Sequence, residues 1–168
     1  LGLSLYFSKM TLKFLSLTVG QMGWLSGSPL SFLFATVFAF LVDDFLRFIF
    51  HYGMHKIPFL WELHKTHHSA SVLTPLTLFR IHPLESALAT FRNALSVGFC
   101  TGLFMFLFSG EVGLITILGV NVFAYIFNVS FGNLRHSHLD ISFDRLENIF
   151  ISPKQHQIHH SMNPHHFD

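Results

Sequence analysis

A neutral imidazole offers one lone pair to a metal ion, so histidines repeated at one helical turn gather several donors around one point. This chain of 168 residues carries thirteen histidines, most of them in such groups. His51 and His55 form H-x3-H, His64, His67 and His68 form H-x2-H-H, and His156, His159 and His160 form a second H-x2-H-H. An α-helix turns once per about 3.6 residues, so positions i, i+3 and i+4 share a face. Each group therefore aims two or three rings in one direction. Imidazole suits Fe, Zn, Cu and Ni. Eight donors are too many for one ion, so the spacing predicts a multinuclear, all-nitrogen metal site.

Other residues could complete it. Arg135-His136-Ser137-His138 closes the last apolar run. The i, i+2 spacing keeps its two rings off one helical face, so one of His136 and His138 ligates and the other is free or supports a ligand. His82, in the run Arg80-Ile81-His82-Pro83-Leu84-Glu85, is a weaker candidate, because a lone histidine before a helix-initiating proline is more often structural. His165 and His166 follow Asn163-Pro164 and are expected on the surface, with His166 a weak candidate ligand. Two Fe(II) ions held by neutral imidazoles carry +4, which calls for bridging hydroxide or nearby carboxylates. Asp44 shares the helical face of His51 and His55 and is expected to hydrogen-bond a ligand imidazole, unless it is only a polar residue ending a span. Glu85 either supports the site or simply favours the first turn of its helix, where the dipole attracts anions. Asp43 and Arg47, at i and i+4, read as an ion pair. Arg92, Asn93, Asn121 and Asn128 lie deep in apolar runs and are expected to bond between helices, with a substrate cavity as the alternative.

The elements that must position these groups are apolar helices. The chain is 51% hydrophobic and 11% charged, with 22 phenylalanines, where soluble domains are about 25% charged. That composition is a membrane protein's. The net charge of +1 leaves no nucleic-acid footprint, and the single cysteine, Cys100, excludes an internal disulfide or thiolate cluster. Residues 12–25 are apolar but short for a span. From Pro29 to His51 a helix rises about 33 Å, against a hydrocarbon core of about 30 Å, so His51 emerges at the membrane edge. A short amphipathic segment from Pro58 carries the second histidine group. Residues 69–83 read as loop, and about 84–108 and 112–132 as a transmembrane hairpin turning at Ser109-Gly110. Ser152-Pro153-Lys154-Gln155 reads as a capped helix start. Lys9, Lys13, Lys56, Lys65, Arg80, Arg135, Arg145 and Lys154 fall on the histidine side, which the positive-inside rule makes cytoplasmic. The expected fold is all-α, one domain over 1–168, with about four transmembrane helices in two hairpins and a cytoplasmic helical cap. The start at Leu1 and the end just after a histidine-rich run read as a piece of a longer chain.

His-Tyr-Gly-Met-His (51–55), His-Lys-Thr-His-His (64–68), Arg-Ile-His-Pro-Leu-Glu (80–85), Asn-Leu-Arg-His-Ser-His (133–138) and the run from Ser152 to Asp168 together resemble the sterol desaturase / fatty acid hydroxylase superfamily, over about residues 40–168. That resemblance implies an integral-membrane, non-haem di-iron oxygenase. It assigns His51, His55, His64, His67, His68, His156, His159 and His160 as metal ligands and favours His136 over His138 as the ninth. It implies two iron ions, with zinc tolerated by the same ligands, and O2 as co-substrate. The implied reaction is hydroxylation or desaturation of a membrane lipid: a fatty acyl lipid, sterol or hopanoid, carotenoid or ether lipid. No haem, flavin or nicotinamide site is visible, so electrons are expected from a separate ferredoxin-like or cytochrome b5-like donor.

Two other classes compete. A metal transporter places ionisable residues at mid-depth along a pathway, whereas here mid-span residues are mostly Phe, Leu, Val and Gly and the imidazoles gather at one end. A non-catalytic metal-binding membrane protein is the second alternative, which O2 consumption in the presence of lipid separates from an oxygenase.

Overall fold

A computed structural model describes residues 2–20, 22–108, 126, 129–130, 133–161, 163 and 166. Its elements are helical: α1 (Gly2–Thr18), α2 (Pro29–Lys56), α3 (Pro58–His68), a 3-10 turn (Pro75–Phe79), α4 (Pro83–Leu107), a short turn (Asn133–Arg135), a second 3-10 turn (Asp144–Asn148) and α5 (Pro153–His159). Apart from residues 126, 129 and 130, the expected second arm of the hairpin, 112–132, with Asn121 and Asn128, lies outside the described residues, as does His165.

α2 starts where its sequence provides a cap. Ser28 is extended, its hydroxyl accepts from Ser31 N at 3.2 Å, and Pro29 fills the first helical position, where its missing N–H costs nothing. α2 stops where Pro58 forbids continuation. Ile57, forced out of helical geometry by the following proline, sits at φ −99 and ψ 115. This break falls two residues after His55 and lets α3 fold back over the end of α2. Two histidine groups distant on a straight helix are thereby brought face to face.

α4 runs antiparallel to α2. Ala35 and Ala39 leave room on α2 for Phe104 and Phe108, and these residues with Cys100 form the apolar core. Phe32 stacks on Phe108 at 5.4 Å, and Phe38 meets Phe104 edge-on at 6.2 Å. Nearer the histidines, Arg92 Nη1 donates to Asp43 Oδ1 at 3.2 Å and ties the two helices, while Arg47 Nε donates to Asp43 Oδ2 at 2.8 Å, the ion pair expected from spacing.

The first helix differs from expectation. The apolar run 12–25 is helical only as far as Thr18, as the end of a helix that begins at Gly2 and carries Lys9 and Lys13 exposed within it. The chain turns through Gly20 and Gly23, at φ 86 and 84, a conformation glycine adopts without steric cost. Gly23 N and Leu25 N then donate to Phe106 O and Leu107 O, at 3.0 and 2.9 Å, so the connection is held on the end of α4. α1 itself lies against α4 through Gly98 and Gly102, a small-x3-small pair that permits close backbone approach. A Cβ on Gly98 would stand 2.5 Å from Phe7 Cβ and 2.6 Å from Ser4 O, and one on Gly102 would meet Ser8 O and, at 2.7 Å, Thr11 Cβ. Gly98→Val or Gly102→Val is expected to push α1 off α4 at a cost of about 1–3 kcal/mol. Thermal unfolding in detergent reads this, and unchanged melting of both variants would refute the contact.

Of the four expected crossings, the one over 112–132 falls almost wholly outside the described residues. Among the described residues one helix, Pro83–Leu107, is long and apolar enough to cross a membrane by length and composition. α2 is longer, but Asp43, Asp44 and Arg47 interrupt its apolar run.

Candidate metal centre

Nine histidines from four segments converge at the end of the bundle formed by α2, α3, α5 and the start of α4. Eight of them sort into two quartets. His51 and His55 from α2, His68 from α3 and His159 from α5 place one nitrogen each within 4.8 Å of one another. His67 from α3, His136 after the turn Asn133–Arg135, and His156 and His160 from and just after α5 do the same. Neighbouring helical residues point about 100° apart, so each His-His doublet serves both groups: His67 and His68 divide between them, as do His160 and His159.

The contacts inside the quartets are not those of a hydrogen-bond network. His67 Nε2 and His136 Nε2 are 3.0 Å apart, His136 Nε2 and His156 Nε2 3.0 Å, and His156 Nε2 and His160 Nε2 3.2 Å. In the other quartet His51 Nε2 and His159 Nε2 are 2.9 Å apart. A ring nitrogen carries either one proton or one lone pair, in one direction. His136 and His156 each face two other Nε2 atoms and cannot satisfy both. A single cation can: nitrogens about 2.0–2.1 Å from one ion stand about 2.9–3.4 Å from their neighbours. The buried His68 Nε2 and His64 Nε2 have no hydrogen-bond partner among the described residues. Such atoms are costly unless something binds them. The donor set therefore fits two ions.

His64 belongs to neither quartet. Its ring lies 4.8 Å from that of His51, 4.9 Å from those of His55 and His68, and 5.4 Å from that of His67. Its Nδ1–H donates to Glu85 Oε1 at 2.7 Å, with both side chains buried. That bond leaves the Nε2 lone pair free toward the other rings, the arrangement by which a carboxylate orients a ligand histidine. Among the described residues Glu85, and not Asp44, makes the carboxylate–imidazole contact. Asp44 sits on the expected side of α2, but the charges acting on it are those of Arg135, Arg47 and Asp43. The remaining candidates fall outside the cluster. His138 is exposed where His136 is 4% exposed. His82 caps α4, its Nδ1 accepting from Leu84 N at 3.2 Å. His166 is exposed beyond α5, its N–H donating to Asn163 O at 2.9 Å.

α5 is fixed by the capping box its sequence announces. Ser152 Oγ accepts from Gln155 N at 3.1 Å and Gln155 Oε1 accepts from Ser152 N at 3.4 Å. Trp61 is the ring that the motif reading passes over. Its indole lies 5.3 Å from His55, 5.5 Å from His68 and 6.3 Å from His64. Its sequence signal is spacing, since 61, 64 and 68 share a face of α3.

Burial keeps His67, His68, His156 and His160 neutral. It is the first cause, with neighbouring imidazoles second, of the low pKa of His67, pushed from the usual 6.5 to about 4, and of His160, pushed to about 3. His68 and His156 are lowered by burial in the same way. A depressed histidine pKa means that the unfolded chain binds more protons between the two values, so stability rises with pH in that window. The metal-free protein is expected to keep its full stability above about pH 6.5 and to lose it as the pH falls toward about 4. Thermal melts in detergent across that range test this, and a flat profile would contradict it.

A helical bundle with two adjoining groups of four histidines offers a possible dimetal site. The chain belongs to the fatty acid hydroxylase family, which it matches over residues 36–168. That family is membrane-bound, and membership implies oxidoreductase activity. No curated protein and no solved structure matches the chain.

Proposed function

We propose that this protein is an O2-dependent lipid hydroxylase or desaturase that uses two iron ions held by its histidine quartets. The observation that carries the reading is the pairing of the two quartets, the first of His51, His55, His68 and His159 and the second of His67, His136, His156 and His160, with His64 between them. Iron bound there supplies O2 activation and oxidation of an unactivated C–H bond; the protein supplies position and environment. Burial holds His67, His68, His156 and His160 neutral, so their lone pairs remain available. Glu85 fixes the tautomer and orientation of His64. The Pro58 break holds the α3 donors against the α2 donors. The substrate is an amphiphile of the membrane, namely a fatty acyl lipid, sterol or hopanoid, carotenoid or ether lipid. Its reacting carbon reaches the centre at the cytoplasmic edge of the bilayer, where α2 ends. Electrons come from a separate donor protein of ferredoxin or cytochrome b5 type.

The test is direct. Protein purified in detergent and loaded anaerobically with Fe(II) is expected to hold two equivalents and to consume O2 when reductant and membrane lipid are present. Mass spectrometry of the lipid should show a gain of oxygen or a loss of two hydrogens. Retention of metal without lipid-dependent O2 use would leave a non-catalytic metal protein instead.

A further inference from the structure

The two quartets are unequal in their access to the outside. His67, His136 and His156 are 5%, 4% and 7% exposed, whereas His51, His55, His68 and His159 are all half-buried. Trp61 lies against this more open quartet. Among the described residues it is the one non-histidine ring in contact with the clustered imidazoles, and it touches three of them, His55, His68 and His64. Trp61 is itself half-buried, with Ile57 and Phe59 beside it 50% and 68% exposed. The indole thus spans the gap between the protein surface and the donor set.

We propose that Trp61 is the entry point for electrons, carrying them from a one-electron donor protein to the half-buried quartet. This rests on the di-iron reading above. Electron tunnelling falls steeply across gaps and less steeply through packed π systems, so a ring contacting both surface and ligands is the favoured path. In each transfer the donor is oxidised by one electron and the metal centre is reduced by one, while the indole is chemically unchanged and no bond forms or breaks. Two transfers accompany each O2: one oxygen atom enters the lipid and the other leaves as water with two protons from solvent, or both leave as water in a desaturation, the substrate then supplying the other two electrons and protons. Trp61 acts through His55, His68 and His64, so it is a positioning and conducting residue and not a catalytic one.

The test uses light-driven electron injection into the iron-loaded, oxidised protein. In a Cys100→Ala background, a ruthenium photosensitiser is attached at Lys65→Cys, one helical turn from Trp61, or at Lys154→Cys, on the helix that carries His156. Both lysine side chains are about half exposed, at 52% and 47%. Transient absorption then reads the injection rate without any turnover. From position 65, Trp61→Leu is expected to slow injection by about an order of magnitude, while Trp61→Phe, which keeps a ring, stays within about threefold of wild type. From position 154 the rate should be slower and insensitive to Trp61. An unchanged rate in Trp61→Leu at equal iron content would overturn the proposal. If Trp61→Leu does not hold iron, the two labels with Trp61 intact decide, and injection from position 154 as fast as from 65 would overturn it equally. Wild-type protein that holds no iron sinks the di-iron reading and the relay together, whereas iron held with Trp61-independent injection sinks the relay alone.

Discussion

His136→Ala is expected to remove one of two metal equivalents and to abolish lipid oxidation, whereas His138→Ala, two residues away, should leave both intact. His136 Nε2 stands 3.0 Å from two other Nε2 atoms and is buried, so its loss opens the middle of its quartet. Three donors would remain, and an alanine cannot fill the vacated coordination position. Buried neutral imidazoles are good ligands because they have no water to displace and no proton to lose; one that is missing leaves its neighbours' lone pairs unsatisfied. His138 is exposed, and its replacement touches none of this. Metal content by elemental analysis and O2 uptake with lipid measure the pair. Equal metal content in both variants would mean that the second quartet is not a metal site.

Glu85→Leu should weaken metal affinity by about 10–100-fold, the usual cost of removing a partner that orients a ligand histidine. The fold should survive, since Leu is a good helix former in the first turn of α4. The loss follows from the bond of 2.7 Å from His64 Nδ1–H to Glu85 Oε1. Without the carboxylate, a buried N–H is left unpaired, and the ring is free to take the other tautomer or to rotate. Glu85→Gln keeps an acceptor oxygen without the charge and is expected to fall between Leu and wild type. Titration with Co(II), followed by its absorption bands, reads affinity independently of turnover. If Leu and wild type bind alike, Glu85 is only a residue suited to a helix N-terminus and His64 is held by something else.

Much of this centre was legible before any coordinates. The spacing of His51 and His55, of His64, His67 and His68, and of His156, His159 and His160 follows the helical repeat, and helical elements carry all three groups. Pro29, Pro58, Pro83 and Pro153 mark the starts of four helices because proline suits the first helical position and cannot continue a preceding helix. The Ser152 and Gln155 box is formed as written. Less was legible where the evidence lies between segments. The run 12–25 has an apolar composition but no helix past Thr18, because Gly20 and Gly23 turn the chain and hydrogen bonds to the end of α4 hold it there. Asp44 follows the ladder of His51 and His55 as well as any residue could, yet the contact is made by Glu85 from a helix 21 residues beyond His64.

By itself the sequence determined which residues can bind metal, that they lie on short helical faces, and that these faces belong to a greasy, helical chain of the fatty acid hydroxylase family. Helical periodicity and proline stereochemistry are local, so one dimension suffices for them. Only the tertiary structure decided how nine histidines divide, since adjacent residues such as His67 and His68 diverge by the helical angle and each joins rings from elsewhere in the chain. It also decided that His136 is taken in and His138 left out, that Glu85 holds His64, and that Trp61 covers the open side. These outcomes depend on how α3 folds back at Pro58 and how α4 packs on α2, which no spacing within a single segment encodes.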